Sequence, residues 1–121
     1  MSATPPMPSP ATGEHVAEVL NFPWRDMRVS AARVDYAPGG FTPHPHRHPA
    51  GAYVYVMQGS VLFGVDGGEP VRLNAGESFF EPAGALHSVS RNASDELPAS
   101  LIAFFVLAEG ETPTVNEPEA A

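Results

Sequence analysis

Glycine and proline cut this chain into short pieces. There are 14 prolines and 11 glycines among 121 residues. Proline removes a backbone donor and glycine adopts positive-φ turn conformations without steric cost, so a bundle of long helices is disfavoured. Between the turns lie short runs rich in Val, Phe, Tyr and Ile, the composition of pleated, half-buried strands. These runs are 27–36, 52–58, 61–65, 71–73, 77–81, 86–91 and 99–108. "AYVYVMQ" and "VLFGV" are separated only by "GS" (59–60), which reads as a hairpin. "ASLIAFFVLA" (99–108) is apolar throughout and reads as a strand buried on both faces. The pattern predicts an all-β domain, a sandwich or barrel.

The ends differ from the middle. Residues 1–14 are rich in Pro, Ser, Thr and Ala, and 110–121 are acidic and Pro-containing. Both are expected to be disordered, flanking one β domain at 15–109. Composition also narrows the partners. The net charge is −8, and all six basic residues are arginines with no cluster among them. A nucleic-acid phosphate backbone or an anionic membrane is therefore not an expected partner. There is no cysteine, which excludes disulfides, thiolate metal ligands and cysteine nucleophiles. The first residues lack a basic segment followed by an apolar run, so the expected location is cytoplasmic.

Three of the five histidines fall within five residues, in "HPHRHP" (44–49). In an extended segment residues i and i+2 share a face, so His46 and His48 project together, and the same parity extends to His44. Two imidazoles held side by side inside a β domain can share a divalent ion. A further histidine, His87, follows the turn "PAGA" at the start of another short strand.

These residues carry a family resemblance. "GFTPHPHRHPAGAYVYVMQG" resembles the first cupin motif, with Gly40, His46, His48 and Gly59 in register. "GESFFEPAGALHSVSRN" resembles the second, with Gly76, Pro82, Gly84 and His87 in register and Asn92 one residue late. The resemblance implies a single-domain jelly-roll β-barrel holding one divalent metal on His46, His48 and His87, with His44 at the rim. Fe(II) is the favoured ion, with Zn(II), Ni(II), Mn(II) and Cu(II) as alternatives. It also implies a homodimer acting on a small-molecule substrate.

One position departs from the motif: Ala52 stands where the first motif has its glutamate. Three readings stay open. Three neutral imidazoles alone resemble the three-histidine non-haem iron dioxygenases, which implies oxygen-dependent cleavage of an enolisable or chelating substrate such as a β-diketone. Alternatively, Glu81, six residues before His87, substitutes as a ligand or assists from beside the metal as the catalytic proton acceptor. Or the site has decayed and the domain is a non-catalytic binding or sensing module. Cupin isomerases and decarboxylases are a further alternative, because one scaffold hosts many chemistries. Tyr53 and Tyr55 are expected to face away from the metal. Ser90 is a candidate to point at substrate, and Arg72 and Arg91 are read as surface charges.

Overall fold

The computed structural model describes residues 9–117 as ten strands in two antiparallel sheets. The strands are β1 (Glu14–Trp24), β2 (Met27–Tyr36), β3 (His46–Arg47), β4 (Ala52–Gln58) and β5 (Ser60–Val65). They continue with β6 (Val71–Asn74), β7 (Ser78–Glu81), β8 (Leu86–Asn92), β9 (Ala99–Ala108) and β10 (Val115–Asn116). One sheet has the order β1-β2-β9-β4-β7 and the other β10-β3-β8-β5-β6. Together they form the jelly roll of a single all-β domain, with the core between the sheets.

Strand β4 shows how the pattern builds this core. Ala52, Val54 and Val56 are buried, and the alternate residues Tyr53, Tyr55 and Met57 are exposed. The period of two puts one set inside and the other on the outer face. Leu101, Ala103, Phe105 and Leu107 of β9 join the inner set. From the second sheet Val61 and Phe63 close the core.

Three expectations are corrected. First, β4 and β5 do not form a hairpin. β4 pairs with β7 and β9, while β5 pairs with β6 and β8. Gly59, at φ 72°, carries the chain from one sheet to the other, and a Cβ there would lie 2.6 Å from the Pro98 carbonyl oxygen. A short glycine turn marks a reversal but does not say whether the next strand stays in the same sheet. Second, β9 is buried on both faces only in its first half. Phe104 and Val106 lie on the outside. β9 is continuous and apolar because it is the central strand of its sheet, not because both faces are covered. Third, two terminal stretches expected to lie outside the domain are partly built into it. β1 starts at Glu14, and the Thr12 carbonyl accepts a bond from the Phe41 amide. At the other end, Val115 and Asn116 pair with Arg47 and His46. Arg47 also bonds Glu117 at 2.5 Å. The remainder of the two expected disordered ends, residues 1–8 and 118–121, lies outside the described residues.

Candidate metal centre

The two sheets each deliver part of one polar cluster. In the second sheet His46 of β3 lies directly across from His87 of β8. In the first sheet Ala52 of β4 lies directly across from Glu81 of β7. Directly opposed residues project from the same face, so Glu81 enters the barrel beside the Ala52 methyl group. Ala52 is 1% exposed and Glu81 3%. The carboxylate missing at position 52 is thus supplied from the neighbouring strand, and a small side chain at 52 leaves room for it. His48 comes from the turn between β3 and β4. That turn is closed by the Gly51 amide donating to the His48 carbonyl at 2.9 Å. Gly51 has φ 80°, and a Cβ on it would stand 2.9 Å from the Glu81 carbonyl oxygen. Glycine at 51 therefore lets the two ligand-bearing segments approach closely.

His46, His48, Glu81 and His87 are all buried, and one potential ligand atom from each lies within 4.8 Å of the others. A first-row ion bonded at about 2.1 Å places neighbouring donors roughly 3 Å apart and opposed donors about 4 Å apart, close to this spacing. Glu81 Oε1 is 2.8 Å from His87 Nδ1, and Oε2 is 3.4 Å from His48 Nε2. His87 Nδ1 is also 3.1 Å from His46 Nε2.

Hydrogen bonds behind the cluster set the tautomers. His46 Nδ1 is 3.0 Å from the His44 carbonyl oxygen, and His48 Nδ1 is 3.0 Å from that of Pro113. A carbonyl only accepts, so each Nδ1 carries the proton and donates. Both Nε2 lone pairs then face the centre, as metal ligation requires. Thr114 Oγ1, 3.1 Å from His48 Nδ1, adds a second contact from the C-terminal segment. Phe63 stacks on the His87 ring with centroids 4.8 Å apart, fixing its plane.

The electrostatics favour a cation. Burial lowers His46 to about 4, helped by the nearby His87 and His48 against the His44 carbonyl bond. Burial alone would raise Glu81, but its contacts with His48 and His87 outweigh it and hold the carboxyl at about 2. A neutral imidazole and an ionised carboxylate are the protonation states a metal selects. His87 Nε2 is buried without a hydrogen-bond partner. That nitrogen lies on the far side of the ring; His87 presents Nδ1 to the cluster, 2.8 Å from Glu81 Oε1 and 3.1 Å from His46 Nε2, and this convergence of donor atoms is what fits an ion.

The centre opens into a cavity of about 280 Å³. Its walls are mostly apolar, from Val16, Val34, Val54, Leu101 and Phe105. His44 lines this cavity as an exposed residue beyond the four-residue cluster. Ser90 lines it too. Tyr53 and Tyr55 point outward. Arg72 is exposed and hydrogen-bonds Asn74 and Ser60 at the surface, and Arg91 is exposed. Asn92 is buried, and its side chain donates to the Ala37 and Leu97 carbonyls, a structural role. Sequence reasoning did not single out Glu14, Tyr36 or Thr42, which also line the cavity. Their one available signal was the strand period: Tyr36 keeps the parity of Val34 and Ala32. Glu14 follows only once its strand is paired to β2.

Comparison with known proteins agrees with this geometry. The cupin domain family matches residues 32–107. A germin-like protein of Arabidopsis thaliana, subfamily 2 member 2, is 36% identical over 104 residues, covering 82% of this chain and 45% of that protein. Oxalate oxidase GF-3.8 of Triticum aestivum is 39% identical over 85 residues, covering 64% of this chain and 37% of that protein. The chain therefore spans less than half the length of these curated relatives. Among solved structures, an oxalate oxidase in complex with the substrate analogue glycolate superposes with a TM-score of 0.72 at 29% identity. That match covers 93% of this chain and 59% of the other.

Proposed function

Because this chain belongs to the cupin domain family, with a four-donor metal site and germin-like relatives, we propose that it is a metal-dependent, oxygen-using enzyme. Its substrate would be a small chelating acid or enol, a β-diketone or an oxalate-like acid. The observation that carries this reading is the cluster of His46, His48, Glu81 and His87 lining a largely apolar cavity. The likeness to oxalate oxidases supports the use of oxygen. A divalent ion held by these four residues supplies Lewis acidity and one-electron redox chemistry. Three imidazoles and one carboxylate are compatible with Fe(II) or Mn(II), the carboxylate being the donor suited to harder cations.

The chain's own residues do the rest. An ion held by these four donors would keep room beside them for a chelating substrate head. Glu81 is ionised throughout the physiological range, so it serves as an anionic ligand and not as an acid. It also offsets part of the ion's charge, which three neutral histidines alone would leave whole. His44 and Pro113 carbonyls hold two rings in the ligating tautomer before any ion arrives. The apolar wall excludes water from the reacting group, which strengthens each of these electrostatic contacts. The exposed Tyr53, Tyr55, Phe80 and Phe104 on the outer face of the first sheet support pairing of two copies.

The test is metal loading followed by oxygen uptake. The Fe(II)- or Mn(II)-loaded chain is expected to consume oxygen with acetylacetone or oxalate. His87→Ala should weaken metal binding by about 100-fold or more, at or beyond the top of the range for groups that only support a ligand. A loaded chain that consumes no oxygen with either substrate would favour the non-catalytic binding reading.

A further inference from the structure

The cavity has a second polar group away from the histidines. Glu14 of β1 lies directly across from Tyr36 of β2. The Tyr36 hydroxyl is 2.6 Å from Thr42 Oγ1 and 2.7 Å from Ser90 Oγ. Thr42 Oγ1 in turn donates to Glu14 Oε2. The Thr42 amide donates to the Ser90 carbonyl at 2.9 Å, which ties this ladder to the opposite sheet. All four residues line the cavity.

Hydrogen-bond accounting gives this ladder a direction. A carboxylate only accepts, so Thr42 donates its single proton to Glu14 and must accept from Tyr36. Tyr36 has then used its proton and accepts from Ser90. No hydroxyl proton is left over, and the free capacity of the ladder is in lone pairs on Glu14 and Ser90. Among the described residues only Thr42 donates to the Glu14 carboxylate. Burial pushes Glu14 upward, against the Thr42 bond and the nearby His44 charge. His44 is the other ionisable side chain beside it, on the exposed rim. Among the described residues lining the cavity there is no lysine or arginine. A substrate carrying a second carboxylate would meet Glu14 with no lysine or arginine to offset it.

We propose that Glu14, held by Thr42 and backed by Tyr36 and Ser90, is a second anchor of this cavity and takes the hydrogen-bond-donating tail, an ammonium or hydroxyl, of a substrate whose other end chelates the metal. This rests on the metal-site reading above and narrows its substrate class. The substrate has a chelating head, a short apolar middle against Val16, Val34 and Leu101, and a donor tail. A bare dicarboxylate uses the head subsite only.

The experiment separates the two ends. The full chain is loaded with Zn(II), which is redox-inert, and titrated at pH 7.5 with acetohydroxamate, a chelating head without a tail. It is then titrated with hydroxamates whose propyl tails end in methyl, hydroxyl, ammonium or carboxylate. The ammonium tail is expected to bind about tenfold tighter than methyl, the gain of one hydrogen bond to a charged group. The hydroxyl tail should fall between them and the carboxylate tail below methyl. Glu14→Gln should level the ammonium preference, and Thr42→Val should reduce it should the first variant fold poorly. A flat ranking in the unmodified chain, or an unchanged ranking in folded Glu14→Gln or Thr42→Val, overturns the proposal while leaving the metal site intact. Failure of acetohydroxamate itself to bind overturns the metal-site reading, and this inference with it.

Discussion

The cavity has two polar ends, and they are built on opposite terms. At the histidine end, His46 Nε2, His48 Nε2, His87 Nδ1 and the Glu81 carboxylate converge from both sheets. At the Glu14 end, each hydroxyl gives its proton to the next group, so the cluster is internally consistent without any added ion. Both ends sit in the same apolar barrel and pair a carboxylate with groups from two sheets. The difference shows that burial and polarity alone do not mark a metal site. What marks it is a set of acceptors whose mutual proximity leaves lone pairs facing one another.

The largest break in this comparison comes from adding a second carboxylate to the histidine end. Ala52→Glu places one directly across from Glu81, in a buried position with no new cation. The metal-free variant should lose about 3 kcal/mol of stability in urea denaturation, the scale of an uncompensated buried charge. The double variant Ala52→Glu with Glu81→Ala should recover most of it and bind metal again. No recovery would mean that the two positions are not interchangeable sources of one ligand.

A break of similar size, spread over a range of pH, uses acid. The His46 imidazole titrates near 6.5 when exposed and at about 4 in the fold. Between those values the unfolded chain holds a proton that the folded chain refuses. Stability is therefore full above 6.5 and falls as pH drops toward 4, by up to about 1.4 kcal/mol per pH unit from this group. Denaturation of the metal-free chain across that range should show the slope, and His46→Gln should flatten it. An equal slope in both proteins would place the acid sensitivity elsewhere.

The smallest effect belongs to the other end. Tyr36→Phe removes the central hydroxyl and strips Thr42 and Ser90 of a partner within the barrel. The expected cost is about 1–2 kcal/mol, because two small hydroxyls lose one bond each. A cost near zero in thermal or chemical unfolding would show that water replaces Tyr36 there, and the ladder would not be a fixed device.

Much of this was legible along the chain. The runs 27–36, 52–58 and 99–108 coincide with β2, β4 and β9 because alternation in β-branched and aromatic residues is a local signal. His46, His48 and His87 could be picked out because the spacing of each motif is itself local. Glu81 was visible only as an option. Its place depends on a pairing across 29 positions of sequence, with Ala52, which no period along the chain reports. The two-residue strand β10 was hidden for a related reason. Val115 and Asn116 have no strand pattern of their own and are ordered by β3.

By itself, then, the order of residues determined an all-β chain, its turn positions and three imidazoles in two motifs, since each is a matter of near neighbours. Sheet membership decided the rest. The glycine at 59 sends β5 to the opposite sheet, one of several such crossings that together close a barrel in which Glu81 meets the histidines and Glu14 meets Thr42. Such meetings are contacts between backbones far apart in sequence, fixed by hydrogen-bonded register across strands, and register exists only once the sheets have formed.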